Sequence, residues 1–276
     1  VTTNNQPEGN DWSYDAIVPT VRVGNYCQIS EKSAIVSRTQ NNTSKAGRKV
    51  EIAREVTKKS RELKTDMEVT MLSNQAASAG SGNGATNRQS AGFRAWIATN
   101  DNMDAGGSSG TFSNGIQGAA TNGTQRAFTK ALLDTTMQAA YTAGANVKYV
   151  VGSPYIKSVF VTFMSDTNVA AFRMAATPDG KRTIVATADY YDGPFGRVAF
   201  VPNRVMANSA GVARNVFLLD DDILSMKVLR KIQDDKNVVT NADSKAGVII
   251  GEHTLKVSTE AGLGVIADVF GLTAST

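Results

Sequence analysis

Gly106-Gly107-Ser108-Ser109-Gly110 has the spacing of a nucleophile elbow, in which a serine sits on a sharp strand-to-helix turn. Asp220 and His253, the only histidine, follow in the chain order that hydrolases of that kind use. An elbow needs an apolar strand before it and a helix after it. Here Thr99-Asn100-Asp101-Asn102-Met103-Asp104 precedes, so Ser108 reads as part of a flexible loop. Gly80-Ser81-Gly82-Asn83-Gly84 has the composition of a phosphate loop, but it follows a helical stretch and lacks the Gly-Lys-Ser/Thr that such a loop requires. It reads as a linker or helix stop. Asp220-Asp221-Asp222 offers oxygens to a hard cation. Adjacent carboxylates on a strand point in different directions, and no EF-hand spacing surrounds them, so they read as a charged strand end. His253 lacks the partners a zinc site needs and is expected to be a hydrogen-bonded structural residue. Cys27, the only cysteine, excludes an intrachain disulfide. With no histidine or helix start beside it to lower its pKa, it reads as a half-buried strand residue. Trp12, Tyr14 and Trp96 are too scattered for a base-stacking platform and suit hinges or subunit contacts. No catalytic, cofactor-binding or metal residue is assigned, and no cofactor is expected.

The elements that would position such groups are organised around one stretch, Thr43 to Ala79. Ala46, Val50, Ala53, Val56, Ser60, Leu63 and Met67 recur at steps of three and four, the period of one helical face. Charged residues fill the other faces. Thr43 or Ser44 could cap the start and Gly80 could stop the end. Such a helix would be a rod of about 48 Å. Before it, residues 1–10 read as an extended polar arm. Residues 11–42 read as a long β-hairpin, with runs near 17–29 and 33–39 flanking Ser30-Glu31-Lys32. A two-stranded hairpin is marginal alone, so it is expected to need cover from another molecule.

Residues 77–124 are rich in Gly, Ser, Asn, Thr and Ala and read as a long mobile loop, anchored by Phe93-Arg94-Ala95-Trp96-Ile97. A second helix spans 124–143, with Thr124 as its cap and Gly144 as its stop. A strand at Val147–Val151 leads to Ser153-Pro154, a cap followed by proline at the first helical position, and that helix runs to about Met164. Strands follow near Arg182–Tyr190 and Arg197–Pro202 around the turn Asp192-Gly193-Pro194, then at Val216–Leu219 and Ser225–Leu229, with two or three more in 246–270. Helices and strands interleave without a βαβ period, so the fold class is α+β.

With 276 residues, 41% of them hydrophobic and 20% charged, the chain is globular. A net charge of +4 with no dense Lys/Arg run does not indicate tight duplex binding. No apolar run approaches the about 18 residues of a membrane span, so no membrane partner is expected. The chain begins at Val1 without Met, so its translational start is expected to lie upstream. What remains is a rod, an uncovered hairpin, an arm and a loop, which are parts that contact copies of the same chain.

In order along the chain, Gly24-Asn25-Tyr26-Cys27-Gln28-Ile29, Arg61-Glu62-Leu63-Lys64-Thr65-Asp66-Met67-Glu68, Asn74-Gln75-Ala76 and Gly92-Phe93-Arg94-Ala95-Trp96-Ile97 form a recognisable series. It continues through Tyr191 to Phe195-Gly196-Arg197, Pro202-Asn203-Arg204 and Glu252-His253-Thr254-Leu255. Over nearly its whole length the chain resembles the major capsid (head) proteins of tailed bacteriophages with the Hong Kong 97 (Johnson) fold. The resemblance implies an N-terminal arm (1–10), an extended hairpin loop (11–42) and a peripheral domain with spine helix and glycine-rich loop (43–124). It further implies an axial domain (125–215) and returning peripheral strands (216–276). The implied function is structural: hexamers and pentamers of this chain forming an icosahedral head around double-stranded DNA. Neighbouring subunits would be joined through residues 1–42. Portal proteins, decoration proteins and non-specifically held DNA are the further partners, and the virion is the location, after assembly in the host cytoplasm. An encapsulin-like compartment shell is the alternative within the same fold, and a serine hydrolase using Ser108, Asp220 and His253 the alternative outside it.

Overall fold

The computed structural model describes residues 5–12, 14–20, 22–47, 50–163, 189–235, 238–239 and 243–269. In chain order the elements are β1 (Gln28–Ser37), α1 (Arg38–Asn42), α2 (Glu51–Leu72), α3 (Phe93–Trp96), β2 (Asp101–Asn102), β3 (Phe112–Ser113) and β4 (Ile116–Gln117). Then come α4 (Lys130–Thr142), β5 (Tyr149–Gly152), α5 (Pro154–Thr162), β6 (Tyr190–Gly193), β7 (Gly196–Pro202) and α6 (Ala210–Ala213). The last are β8 (Val216–Leu219), β9 (Leu224–Asp235), β10 (Ser244–Val257) and β11 (Gly264–Ile266). The α+β class is as expected.

The rod exists but is shorter than its periodicity: α2 has 22 residues, about 33 Å. Its start is not capped by Thr43 or Ser44. Val50 is the N-cap without a side-chain bond, and the Asn41 side chain accepts from Ile52 N at 3.4 Å instead. Its end is set by competition from the rest of the chain. Asn74 exchanges two hydrogen bonds with the Ala120 backbone, Gln75 O accepts from Gly92 N, and Ala77 N donates to Gln117 O. Backbone groups that could have prolonged the helix are taken by these tertiary partners. Gly80 therefore lies in a loop beyond the helix and does not stop it.

Among the described residues of 11–42 the expected hairpin is not formed. Ser30-Glu31-Lys32 runs straight through the ten-residue strand β1, which pairs antiparallel with β10 from Gln28↔His253 to Ser37↔Ser244. β10 pairs in turn with β9, making a three-stranded sheet ordered β1-β10-β9. Side chains alternate across it. Lys32 faces the rod and pairs with Asp66 at 2.6 Å, while Ile29 and Ile35 face solvent. The rod covers the other face through Leu63, Met67 and Ile249, with Val56 and Ile232 beside them. β1 thus has cover within its own chain. The two or three strands expected in 246–270 are two, β10 of 14 residues and the short β11, and β9 reaches 12 residues.

The larger sheet has the order β2-β11-β8-β5-β7-β6, mixed in direction, with β5 parallel to β7 and β2 parallel to β11. It draws strands from each of the three spans 43–124, 125–215 and 216–276. Both faces are buried, which explains the unbroken apolar run Val216-Phe217-Leu218. Val216 and Leu218 join Leu133, Met137, Ile156, Phe160 and Ile266 on one side. Phe217 joins Leu72, Ile97, Met206 and Val265 on the other. Leu72 is the last residue of α2, so the rod lies on the small sheet along most of its length and ends in the core of the large one.

Local signals behave as read at several points. Ser153 caps α5 by accepting from Ile156 N, with Pro154 in the first turn. Gly144 follows α4 at φ +89°, a left-handed conformation that glycine adopts without strain. α4 is capped by Thr129, not Thr124. The strand expected near Arg182–Tyr190 lies outside the described residues except at its end, where Asp189 is not in a strand and Tyr190 opens β6. The stretch 77–124 packs more closely than a mobile loop. Ser90, Ala91, Arg94, Ala95, Trp96 and Ile97 are buried, and Trp96 meets Phe112 edge-on with ring centres 6.1 Å apart.

Candidate functional site

The serine of the elbow-like pattern, the aspartate and the histidine lie in separate places. Ser108 is exposed and its backbone bridges Thr121. Asp220 follows β8 and accepts from Asp222 N at 3.0 Å. His253 lies within β10, in the other sheet. Among the described residues no hydrogen bond joins any two of them. Cys27 is half-buried just before β1.

Two of the expectations need correction. Asp220, Asp221 and Asp222 do converge, with one oxygen from each within 4.8 Å of the others, because they occupy the turn after β8 and not a strand. Lys148 reaches them with Nζ at 3.8, 2.6 and 2.7 Å. Its hydrogen bonds to Asp221 and Asp222 push its pKa up, and the bond from Lys148 holds the Asp221 carboxyl below its usual value. The cluster already holds a cation of its own. His253 is the second correction. It is buried, and neither ring nitrogen finds a hydrogen-bond partner among the described residues.

Burial lowers the His253 pKa from its ordinary 6.5. The unfolded chain therefore binds the proton more readily, and stability falls as pH drops below about 6.5. His253→Leu is expected to abolish that loss. At pH 7 it should leave stability unchanged or raise it by about 1 kcal/mol, because two unpaired buried polar atoms are removed. Urea midpoints at pH 7 and pH 5 check this.

The residues that do come together are not those with catalytic potential. Asn25 Nδ2 donates to Ser90 Oγ and Leu255 O, and Asn25 Oδ1 accepts from Ala91 N at 2.9 Å. Gln75 Nε2 donates to Gln28 Oε1 at 2.7 Å and to Ser90 O at 2.8 Å. Ser90 Oγ lies 3.3 Å from Thr254 Oγ1. Asn203 Nδ2 bonds the Glu68 carboxylate at 2.5 Å. Five separate stretches are thereby fastened at the C-terminal half of the rod. Under them lies an ion pair between Arg94 and Asp101, both side chains 0% exposed. Single residues gave no signal of this junction. The ordered series of short patterns pointed to a family and not to these contacts, because hydrogen bonds as distant as Asn25 to Leu255 have no local period.

From the junction the chain runs back toward its N-terminus with little to hold it. Gly24 bonds Gly115 O. Further out, Trp12, Tyr14, Ile17 and Val18 are 87, 91, 93 and 86% exposed. These are four large apolar side chains exposed in one short stretch, the kind of surface that marks contact sites in general.

A sequence model of the SU10 major capsid protein family matches residues 1–270. The chain belongs to that family. It is a structural capsid protein. No curated protein sequence matches it. Its fold is shared by solved capsids of low sequence identity. The cyanophage A-1(L) capsid is 17% identical, with a TM-score of 0.55 over 88% of this chain and 77% of that one. The cyanophage Pam1 capsid is 11% identical, with a TM-score of 0.52 over 99% and 83%. An encapsulin complex from Synechococcus elongatus is 11% identical, with a TM-score of 0.51 over 91% and 75%. Among the described residues no helix is long and apolar enough to cross a membrane.

Proposed function

We propose that this capsid protein builds hexamers and pentamers of a closed icosahedral head around double-stranded DNA. Residues 5–23 act as the strap between neighbouring subunits. The observation that carries this reading is the exposure of Trp12, Tyr14, Ile17 and Val18 on a segment whose described residues form no β-ladder. Burying Ile17 and Val18 against a neighbour contributes about 1.5–3 kcal/mol each, and each aromatic ring covers about 150–250 Å². Residues 125–215 would lie at the capsomer centre as the axial domain. The virion is the site of action, with assembly in the host cytoplasm, and portal and decoration proteins dock on the finished wall. The protein acts by contact and not by catalysis. A compartment shell with protein cargo is the second reading, favoured by the fold shared with the encapsulin.

The test is electron microscopy of the purified chain with and without residues 1–23. The full chain is expected to form closed shells. The shortened one should keep its circular dichroism and remain soluble while shell yield falls at least about tenfold, the effect of losing 1.4 kcal/mol or more per contact. The cut is placed at residue 23 because Asn25 and Gln28 belong to the junction. Regular shells from the shortened chain would sink the strap. Shells from the natural source that enclose enzymes and no DNA would establish the second reading.

A further inference from the structure

We infer that the solvent face of α2 is a phosphate-binding stripe that meets double-stranded DNA inside the shell. This rests on the reading that the chain encloses DNA. Lys58, Arg61 and Lys64 follow one another at steps of three on the face turned away from the small sheet, and all three are exposed. None of them makes an ion pair or a side-chain hydrogen bond among the described residues, whereas the other cations of the rod are occupied. Arg54 is held by Glu51 and Glu55, and Lys59 by Glu62 at 2.6 Å. A shallow groove of about 610 Å³ runs beside the face, lined by Arg54, Thr57, Lys58, Arg61, Glu62 and Thr65. Glu62, its one acid, is the partner of Lys59, so the groove keeps a net positive charge.

Two features favour a nucleic acid over an acidic protein. The groove has no large apolar lining residue, and a specific protein contact needs a desolvated apolar centre. Three point charges over about 9 Å of straight rod match instead a polymer carrying one charge per about 1.7 Å of its axis, bound through counterion release without base readout. The opposite face of the rod is closed by β1 and β10. The stripe therefore also defines the inner surface of this part of the wall, and the sheet face with Ile29 and Ile35 its outer surface.

Three phosphate contacts predict a slope of about −2.7 in log K against log salt for each engaged subunit, or about a 40-fold loss of affinity between 50 and 200 mM salt. The measurement is fluorescence anisotropy of a labelled 30-base-pair duplex (about three helical turns) titrated with the full chain across that range. Lys58→Gln/Arg61→Gln/Lys64→Gln is expected to flatten the slope by about 2.7 per engaged subunit. Lys58→Arg/Arg61→Lys/Lys64→Arg should retain it, and Lys227→Gln/Lys231→Gln/Lys256→Gln, three exposed lysines elsewhere, should leave it nearly as in the native chain. Equal flattening by the two glutamine triples, or loss of binding in the charge-preserving triple, would overturn the stripe. So would displacement of the duplex by poly-glutamate as effectively, per charge, as by unlabelled duplex, which would make the face a docking site for acidic protein. Microscopy of the same samples separates the two claims. Shells whose chain ignores the substitutions refute the stripe alone, and a chain that binds duplex through the stripe but never closes refutes the shell.

Discussion

Arg94→Met is expected to destabilise the subunit by about 3–5 kcal/mol, the cost of leaving one member of a buried ion pair alone. The side chains of Arg94 and Asp101 are both fully buried. The pair is not well repaid for its desolvation, since Arg94 Nε, Arg94 Nη2 and Asp101 Oδ1 have no hydrogen-bond partner among the described residues. Burial already pushes the Asp101 pKa up, with the Arg94 charge and hydrogen bond opposing it. Without Arg94 only the Ser109 hydrogen bond still opposes it, so the carboxylate either stays charged in a largely apolar place or takes a proton.

Two consequences follow that simple loss of packing would not produce. Stability of Arg94→Met should recover partly as pH falls toward the raised Asp101 pKa, because the folded state then binds the extra proton. The double variant Arg94→Met/Asp101→Leu should regain most of the lost stability, since replacing both partners by apolar groups is often neutral or stabilising. Urea unfolding of the unassembled subunit, with both variants at two pH values, measures this. If the double variant is as unstable as the single one, Arg94 matters for its shape and the charge argument fails.

Gly92→Ala is expected to cost about 3 kcal/mol, the upper part of the usual range for overpacking. The reason is close approach and not backbone freedom, since Gly92 has φ −86°. A Cβ there would lie 2.1 Å from Ser73 O and 2.9 Å from Thr70 O. Those are backbone atoms at the end of α2, which cannot turn aside as a side chain could. Gly92 also donates to Gln75 O at 3.0 Å, so the methyl group would push the chain leaving the rod away from the start of α3 where the two are hydrogen-bonded together. Gly24→Ala is the control, because nothing lies within 4 Å of its Cβ position, and it should be close to neutral. A thermal midpoint for Gly92→Ala within a degree of the control would mean that the two elements can separate freely. The junction would then not be the stiff base that the strap requires.

Such effects were only partly legible in the chain. The rod was visible because apolar residues from Val56 to Met67 repeat at the helical period whatever surrounds them. The start of α5 was visible for a similar reason: Ser153 and Pro154 act within one turn. The turn between β6 and β7 sits where Gly193-Pro194 marks it. The series of short patterns around Asn25, Gln75, Arg94, Asn203 and Thr254 also pointed to the capsid family before any contact between them could be named.

Interactions within a turn or a single period are written in neighbouring residues, so local reading reaches them. Where one element ends and what it pairs with depends on residues far along the chain. Asn74 leaves the helix for Ala120, and β1 ignores its neighbours to pair with a strand more than two hundred residues away. Lys148 gathers three aspartates that a strand would have pointed apart. Each of these outcomes is a competition for hydrogen bonds, charge or cover between distant segments, and only the folded arrangement decides it.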